Sequence, residues 1–258
     1  ASQGVKELIV VAQDTSRYGI DLPGHKRLLP ELLRELCKID GFRWIRIHYV
    51  YPDEVDDELI QVIAQEPKIV KYLDIPIQHC NDAVLRAMNR RNTKEELLEL
   101  FYTLRGRIDG LVLRTSLITG LPFEDEAAFD ELCRFLREVQ IERAGVFPYS
   151  PEEGTRAALM TNRVETAEAE RRAELVVDVQ SRIMDDYNAS MMGKTMEILV
   201  DGYDEENEQF FGRTYADSPE IDGRVWIASE EALSEGSFVR VIIDGLVEGD
   251  LSGYVVEE

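Results

Sequence analysis

The sequence predicts an α/β fold in two parts, a parallel sheet with helices between its strands and then a small antiparallel barrel of five strands. Through residues 1–190, five apolar runs alternate with helical patterns at a spacing of roughly 30 residues, which is typical of right-handed βαβ units. Residues 191–258 carry five short alternating runs between Gly-, Asp- and Glu-rich turns, which favours an OB-like barrel. We therefore predict domains at 1–190, ending in a linker helix, and at 191–258.

Each predicted strand of the first part is a short apolar or alternating run. Helical patterns separate these runs: leucines recur every three or four residues after position 28, Thr93 precedes an apolar stripe, and residues 163–190 form one long stripe. Five such parallel strands suit either a doubly wound sheet or most of a barrel. No glycine-rich dinucleotide or P-loop motif follows a strand, which disfavours nucleotide-binding sheets. The predicted strands are 7–13, 44–50, 69–77, 111–118 and 143–149.

The composition indicates a soluble globular chain with a strongly acidic charge. It is 44% hydrophobic and 31% charged, and no run of 18 apolar residues or signal-like start is present, so we expect a cytoplasmic protein without a membrane span. The net charge is −22, and residues 191–258 hold 17 acidic but only four basic residues. Such a charge makes direct nucleic-acid binding unlikely and favours a basic protein partner, although solubility alone also accounts for it.

Three cysteines occur, at positions 37, 80 and 133. Their spacings of 43 and 53 residues match neither a disulfide framework nor a zinc or iron–sulfur motif. Cys37 and Cys133 lie in helical apolar patterns and are expected to be small buried side chains.

Polar residues follow every predicted strand, and in parallel α/β folds such strand ends form the binding site. The sets are Gln13-Asp14-Thr15, His48-Tyr49, Gln78-His79-Cys80, Arg114-Thr115-Ser116 and Pro148-Tyr149-Ser150. His79 and Cys80 are adjacent and point to opposite sides of an extended chain, which disfavours a shared metal with His48. The turn after Gly120 suits either a ligand held by backbone groups or the start of a helix. No catalytic residue and no metal ligand is assigned.

Long stretches of the chain resemble one enzyme family. They read GVKELIVVAQDTSRYGIDL (4–22), VLRTSLITGLP (112–122) and GVFPYSPEEGTRAALM (145–160), together with residues 45–93. These stretches resemble the methylthiotransferase branch of the radical S-adenosylmethionine (SAM) enzymes, and most closely its members that modify a ribosomal protein. GRTYADSPEIDGRVW (212–226) resembles the TRAM domain of the same family.

The resemblance implies a partial parallel (β/α) barrel of radical SAM type, with five of six units present and the site at its carboxyl rim, followed by the TRAM barrel. It implies S-adenosyl-L-methionine as cofactor, together with two [4Fe–4S] clusters in the full-length protein. The implied substrate is the β-carbon of an aspartate in a basic small-subunit ribosomal protein, number twelve, near the decoding centre, free or on the ribosome. The acidic tail complements that partner.

The resemblance also implies roles for five residues at the strand ends. Gln13 is expected at the methionine amino group, Gln78 near the ribose, and Tyr149 near the adenine. Arg114 and Ser116 are expected to hold the methionine carboxylate, which a guanidinium suits.

Two departures from the family pattern stand out. The C-x-x-x-C-x-x-C loop and the other cluster cysteines have no counterpart in this chain, so the interpretation is a C-terminal fragment that is inactive by itself. The usual Gly-x-Pro-Gly-Glu turn has Phe123 where a glycine is expected, and a bulky residue adopts a positive φ only at a cost. Two alternatives remain: a non-catalytic acidic docking module for a basic ribosomal protein, and a tRNA methylthiotransferase.

Overall fold

A computed structural model describes residues 1–256 and shows the two predicted parts. The strands of the first part are β1 (Glu7–Val10), β2 (Trp44–Ile47), β3 (Ile69–Asp74), β4 (Val112–Thr119) and β5 (Arg143–Pro148). The helices are α1 (Leu29–Cys37), α2 (Asp57–Gln65), α3 (Asp82–Ala87), α4 (Lys94–Arg107), α5 (Glu126–Val139) and α6 (Thr166–Ala189). The strands of the second part are β6 (Thr195–Asp204), β7 (Gln209–Arg213), β8 (Val225–Ala228), β9 (Phe238–Val247) and β10 (Asp250–Val255).

The first part is a parallel sheet in the order β1-β2-β3-β4-β5, as the alternating pattern predicts. Strand residues such as Leu113 and Leu117 point to its outer face and pack with Phe101 of α4 and Phe135 of α5 in the main hydrophobic core. The predicted third strand is shorter than expected, but the chain after it still pairs with β4 through Gln78 and Leu117.

Helix starts follow from local side-chain chemistry. Thr93 and Glu96 form a reciprocal capping box at α4, and Asp125 caps α5 by accepting a hydrogen bond from the Ala128 N–H at 2.9 Å. Asp56 and Asn81 cap α2 and α3 in the same way. The loops after β3 and β4 therefore turn sharply into helices at the same edge of the sheet.

The second part closes into a barrel in the order β10-β8-β7-β6-β9. All of its pairs are antiparallel except β8 with β10, which is parallel. Closure needs two glycines, because a Cβ at Gly212 would lie 2.3 Å from the Leu199 carbonyl oxygen and one at Gly253 would lie 2.2 Å from that of Ile242. The domain boundary at residue 190 stays a prediction.

The small barrel covers part of the inner face of the sheet, which is the face away from the helices. Trp44, Val70 and Val112 on that face form an apolar cluster with Leu199 and Ala216 of the small barrel. We call this covered region the base, and we call residues 214–222, which follow β7 and enter it, the plug loop. The carboxyl ends of the strands form the rim. Within residues 1–256, no helix is both long and apolar enough to cross a membrane.

Candidate cofactor-binding rim

The loops after β1 and β2 are joined at the rim by one threonine. The Thr15 hydroxyl donates a hydrogen bond to the His48 carbonyl at 2.9 Å, and its N–H donates to the Tyr49 carbonyl at 3.0 Å. The Asp14 carboxylate accepts from the Ser16 N–H at 3.1 Å and starts a short 3₁₀ turn. This arrangement fixes the backbone next to Gln13.

Two rim residues adopt left-handed backbone conformations. Tyr49 has a φ of 57° at the end of β2, and Gln78 has a φ of 68° after β3. The Gln78 N–H donates to the Ser116 carbonyl at 2.9 Å, and its own carbonyl accepts from the Ile118 N–H at 2.8 Å. A non-glycine residue with a left-handed backbone conformation destabilises the fold by on the order of 1–3 kcal/mol. Residues strained in this way occur mostly at functional sites.

Four of the five predicted cofactor residues are available to a ligand. Gln13 is exposed, while Gln78, Ser116 and Tyr149 are half-buried. The Tyr149 hydroxyl is buried without a hydrogen-bond partner, although its ring packs against the cluster of Val84 and neighbouring apolar side chains. A buried hydroxyl without a partner suits a polar group of a ligand, so the Tyr149 hydroxyl fits its predicted place in a cofactor site.

Arg114 differs from these four residues, because its guanidinium already pairs with carboxylates of this chain. Its Nη1 donates to Asp74 Oδ1 at 3.0 Å, and its Nε lies 3.7 Å from Asp222 Oδ1 of the plug loop. Only 8% of the residue is exposed. Burial raises the pKa of Asp74, and the Arg114 charge opposes that increase. These contacts place Arg114 in the base, and its role at the methionine carboxylate stays a prediction.

The base contains a wider polar network that the sequence analysis missed. Arg143 Nη2 donates to Asp217 Oδ1 at 2.9 Å, and the Tyr72 hydroxyl donates to Asp222 Oδ2 at 2.6 Å. His48 Nε2 lies 3.0 Å from the Ser218 hydroxyl. Burial lowers the pKa of His48 to about 4, so this imidazole is neutral near pH 7.

His79 faces the turn after β4. Its Nδ1 accepts from the Asn81 N–H at 2.9 Å, which leaves the ring proton on Nε2, 3.5 Å from Glu124 Oε2. Glu124 also accepts from the Gly120 N–H at 2.8 Å and from Arg172 Nη1 at 3.0 Å. His48 and His79 thus have separate partners, and the turn after Gly120 is held by a buried carboxylate.

Phe123 adopts a positive φ of 69°, and 46% of the residue is exposed. Its N–H donates to the Asn162 carbonyl at 2.9 Å. The turn holds a bulky residue in this conformation because hydrogen bonds fix the backbone on both sides of Phe123 and its ring lies at the surface.

The cysteines present do not fit an iron–sulfur cluster. Cys37 ends α1, Cys80 follows β3, and Cys133 lies in α5. Burial raises the pKa of all three thiols, which disfavours the thiolate that binds iron. No group of three His, Cys, Asp or Glu residues within 1–256 is arranged to hold a metal.

A cleft of about 900 Å³ opens at the rim beside Gln13, and the sequence analysis missed it. Arg17, Arg90 and Arg91 line it together with Tyr51. A basic segment in the sequence indicates this cleft: residues 83–94 contain four basic residues and no acidic one, in a chain with a net charge of −22.

The fold defines an α/β protein whose parallel sheet is joined to a closed β-barrel. The profile of the radical SAM superfamily matches residues 1–136, and that of the TRAM domain matches residues 192–256. The chain belongs to the radical SAM superfamily.

Two relatives are similar along the whole chain. Ribosomal protein uS12 methylthiotransferase RimO of Clostridium botulinum (strain Hall) is 44% identical over 258 residues, which is 100% of this chain and 57% of that protein. RimO of Anaeromyxobacter sp. (strain Fw109-5) is 47% identical over 257 residues, 99% of this chain and 54% of that protein. The chain thus spans somewhat more than half the length of these relatives.

One solved structure shows a weaker likeness. Coproporphyrinogen III oxidase (HemN) from Escherichia coli, a radical SAM enzyme, matches with a TM-score of 0.48 and 21% identity over 60% of this chain and 36% of that chain.

Proposed function

We propose that this chain provides the SAM-binding and substrate-binding parts of a methylthiotransferase that modifies an aspartate of ribosomal protein uS12. The observation that carries the proposal is the 44% identity over all 258 residues to proteins of that activity. The test is to titrate SAM and, separately, uS12 into the purified protein by isothermal titration calorimetry. We expect both to bind, and failure to bind either of them would contradict the proposal.

Four rim residues would hold the cofactor. We assign Gln13 to the methionine amino group, Gln78 to the ribose, Ser116 to the carboxylate and the Tyr149 hydroxyl to the adenine. The unpartnered, buried hydroxyl of Tyr149 supports this assignment. When bound, SAM supplies the radical chemistry of the superfamily, and these side chains only bind and orient it.

The cluster cannot be assigned to residues of this chain, because its three cysteines lie apart with raised thiol pKa values. We therefore expect residues 1–258 by themselves to bind little iron after anaerobic reconstitution and to be inactive. Iron analysis and electron paramagnetic resonance test this expectation. A stoichiometric four-iron cluster would contradict it.

The charge of the small barrel supports the choice of partner. A segment with 17 acidic and four basic residues attracts a basic ribosomal protein and repels tRNA, and the effect weakens as salt rises. The same charge also supports a second candidate, the non-catalytic docking module. Binding assays separate them: a docking module binds uS12 but not SAM, the proposed enzyme part binds both, and tighter binding of tRNA than of uS12 would favour the tRNA-modifying alternative. With a ribosomal partner, we also propose that the protein acts in the cytoplasm.

A further inference from the structure

The rim cleft joins a predicted cofactor residue to a group of arginines. Gln13 lies in its wall together with Arg17, Arg27, Arg90 and Arg91. A substrate that reacts next to the cofactor has to enter a space of this kind, and the arginines make the cleft suitable for an anionic group.

The arginines of the cleft fall into two pairs. Arg27 forms an ion pair with Glu54, and Arg91 lies 3.6 Å from Asp53. Within residues 1–256, Arg17 and Arg90 have no carboxylate within 4.0 Å. Asp14, Asp53 and Glu54 also line the cleft, but none of them lies within 4.0 Å of Arg17 or Arg90, so neither guanidinium forms an ion pair within the described part of the chain.

Arg90 is held in place, unlike Arg17. Its guanidinium stacks on the Tyr51 ring at 4.9 Å from the centroid, with Nη1 3.5 Å from the Pro76 carbonyl oxygen. The backbone N–H of Arg90 donates to the Leu85 carbonyl at 2.8 Å, and the residue is half-buried. A guanidinium fixed by stacking binds a carboxylate with less loss of side-chain entropy than a mobile one.

We propose that Arg90 binds the side-chain carboxylate of the target aspartate, an inference that rests on the proposed function. That carboxylate is attached to the β-carbon that receives sulfur, so a two-pronged guanidinium contact would orient the reacting carbon toward the cofactor. Planar guanidinium groups favour such paired hydrogen bonds to carboxylates. Aspartate is then distinguished from asparagine by charge, since a neutral amide cannot replace the carboxylate opposite an unneutralised arginine.

The test is a double-mutant cycle on binding. A synthetic uS12 peptide with the target aspartate, and the same peptide with asparagine, are titrated into the full protein in the presence of SAM. We expect the wild-type protein to prefer the aspartate peptide by about tenfold or more, and Arg90→Gln to bind both peptides equally. Arg91→Gln is the matched control, because the neighbouring Arg91 already has Asp53, and it should keep the preference.

Each other outcome has a defined meaning. If Arg90→Gln keeps the preference for aspartate, the inference is wrong while the proposed function stands. If Arg90→Gln weakens binding of SAM but not of the peptide, the guanidinium serves the cofactor carboxylate and the inference is also wrong. If the wild-type protein binds neither SAM nor the aspartate peptide, the proposed function itself fails. Tyr51→Leu, which removes the stack but no charge, should reduce the preference without abolishing it.

Discussion

The two ends of the inner face of the sheet use polar residues in opposite ways. At the base, Tyr72 and Arg143 each bind a carboxylate of the plug loop, at 2.6 and 2.9 Å. At the rim, Tyr149 has a buried hydroxyl without any partner, and Gln78 keeps a left-handed backbone. Buried atoms without a partner also occur at the base, including Asp74 Oδ2, Arg143 Nε and the Tyr187 hydroxyl, but the small barrel covers them there, whereas the rim lies outside the covered region.

The comparison shows why similar residues on one strand have different roles. Arg114 and Ser116 are two residues apart on β4 and therefore share a face. The plug loop reaches Arg114 through Asp222, whereas Ser116 lies one step nearer the rim. The small barrel thus decides which inner-face residues remain available for binding.

The largest effect is expected when a charge is removed at the base, which tests whether its ion pairs stabilise the fold. Arg143→Met leaves Asp217 buried without its arginine, and we expect a loss of about 3–5 kcal/mol in the free energy of unfolding. Urea denaturation measures it. Arg171→Met is the control, since its pair with Glu168 is exposed to solvent and contributes little to stability. A loss for Arg143→Met no larger than that of the control would show that the plug loop does not anchor the base.

A second test uses the pH dependence of stability. Folded His48 titrates at about 4, and the unfolded imidazole near 6.5, so between these values the unfolded chain binds more protons. His48 therefore contributes stability that is present above pH 6.5 and is lost as the pH falls toward 4. We expect the wild-type protein to lose stability on acidification faster than His48→Gln, by up to about 1.4 kcal/mol per pH unit. Parallel stability curves for the two proteins would contradict the buried contact with Ser218.

A smaller effect is expected for the strained backbone of the rim. Gln78→Gly removes the cost of a φ of 68° but adds freedom to the unfolded chain, so the free energy of unfolding should change by less than about 1 kcal/mol. Because the side chain is assigned to the ribose, SAM affinity should fall severalfold. Equilibrium dialysis and urea denaturation report the two quantities separately, and an unchanged affinity would remove Gln78 from the site.

The sequence patterns predict the elements well because their causes are local. The run around Ile45 alternates as a strand, and Thr93 with Glu96 forms the capping box that its spacing indicates. The five strand ends were also predicted to form one edge, and they do.

The roles of individual residues were harder to predict because their partners are distant in sequence. Asp217 lies 74 residues from Arg143, and Ser218 lies 170 residues from His48. No spacing rule joins a loop of the small barrel to the inner face of the sheet. For the same reason, the stacking of Arg90 on Tyr51 could only be seen once the loops were placed together.

The most direct test of the difference between rim and base is the SAM affinity of two matched tyrosine variants. Tyr149→Phe removes a hydroxyl without a partner, so we expect SAM to bind about tenfold more weakly while stability is kept. Tyr72→Phe removes the hydrogen bond to Asp222, so we expect a loss of about 1–2 kcal/mol in stability and unchanged SAM affinity. Equal losses of SAM affinity in both variants, or a loss in Tyr72→Phe alone, would contradict the division between a ligand-binding rim and a structural base.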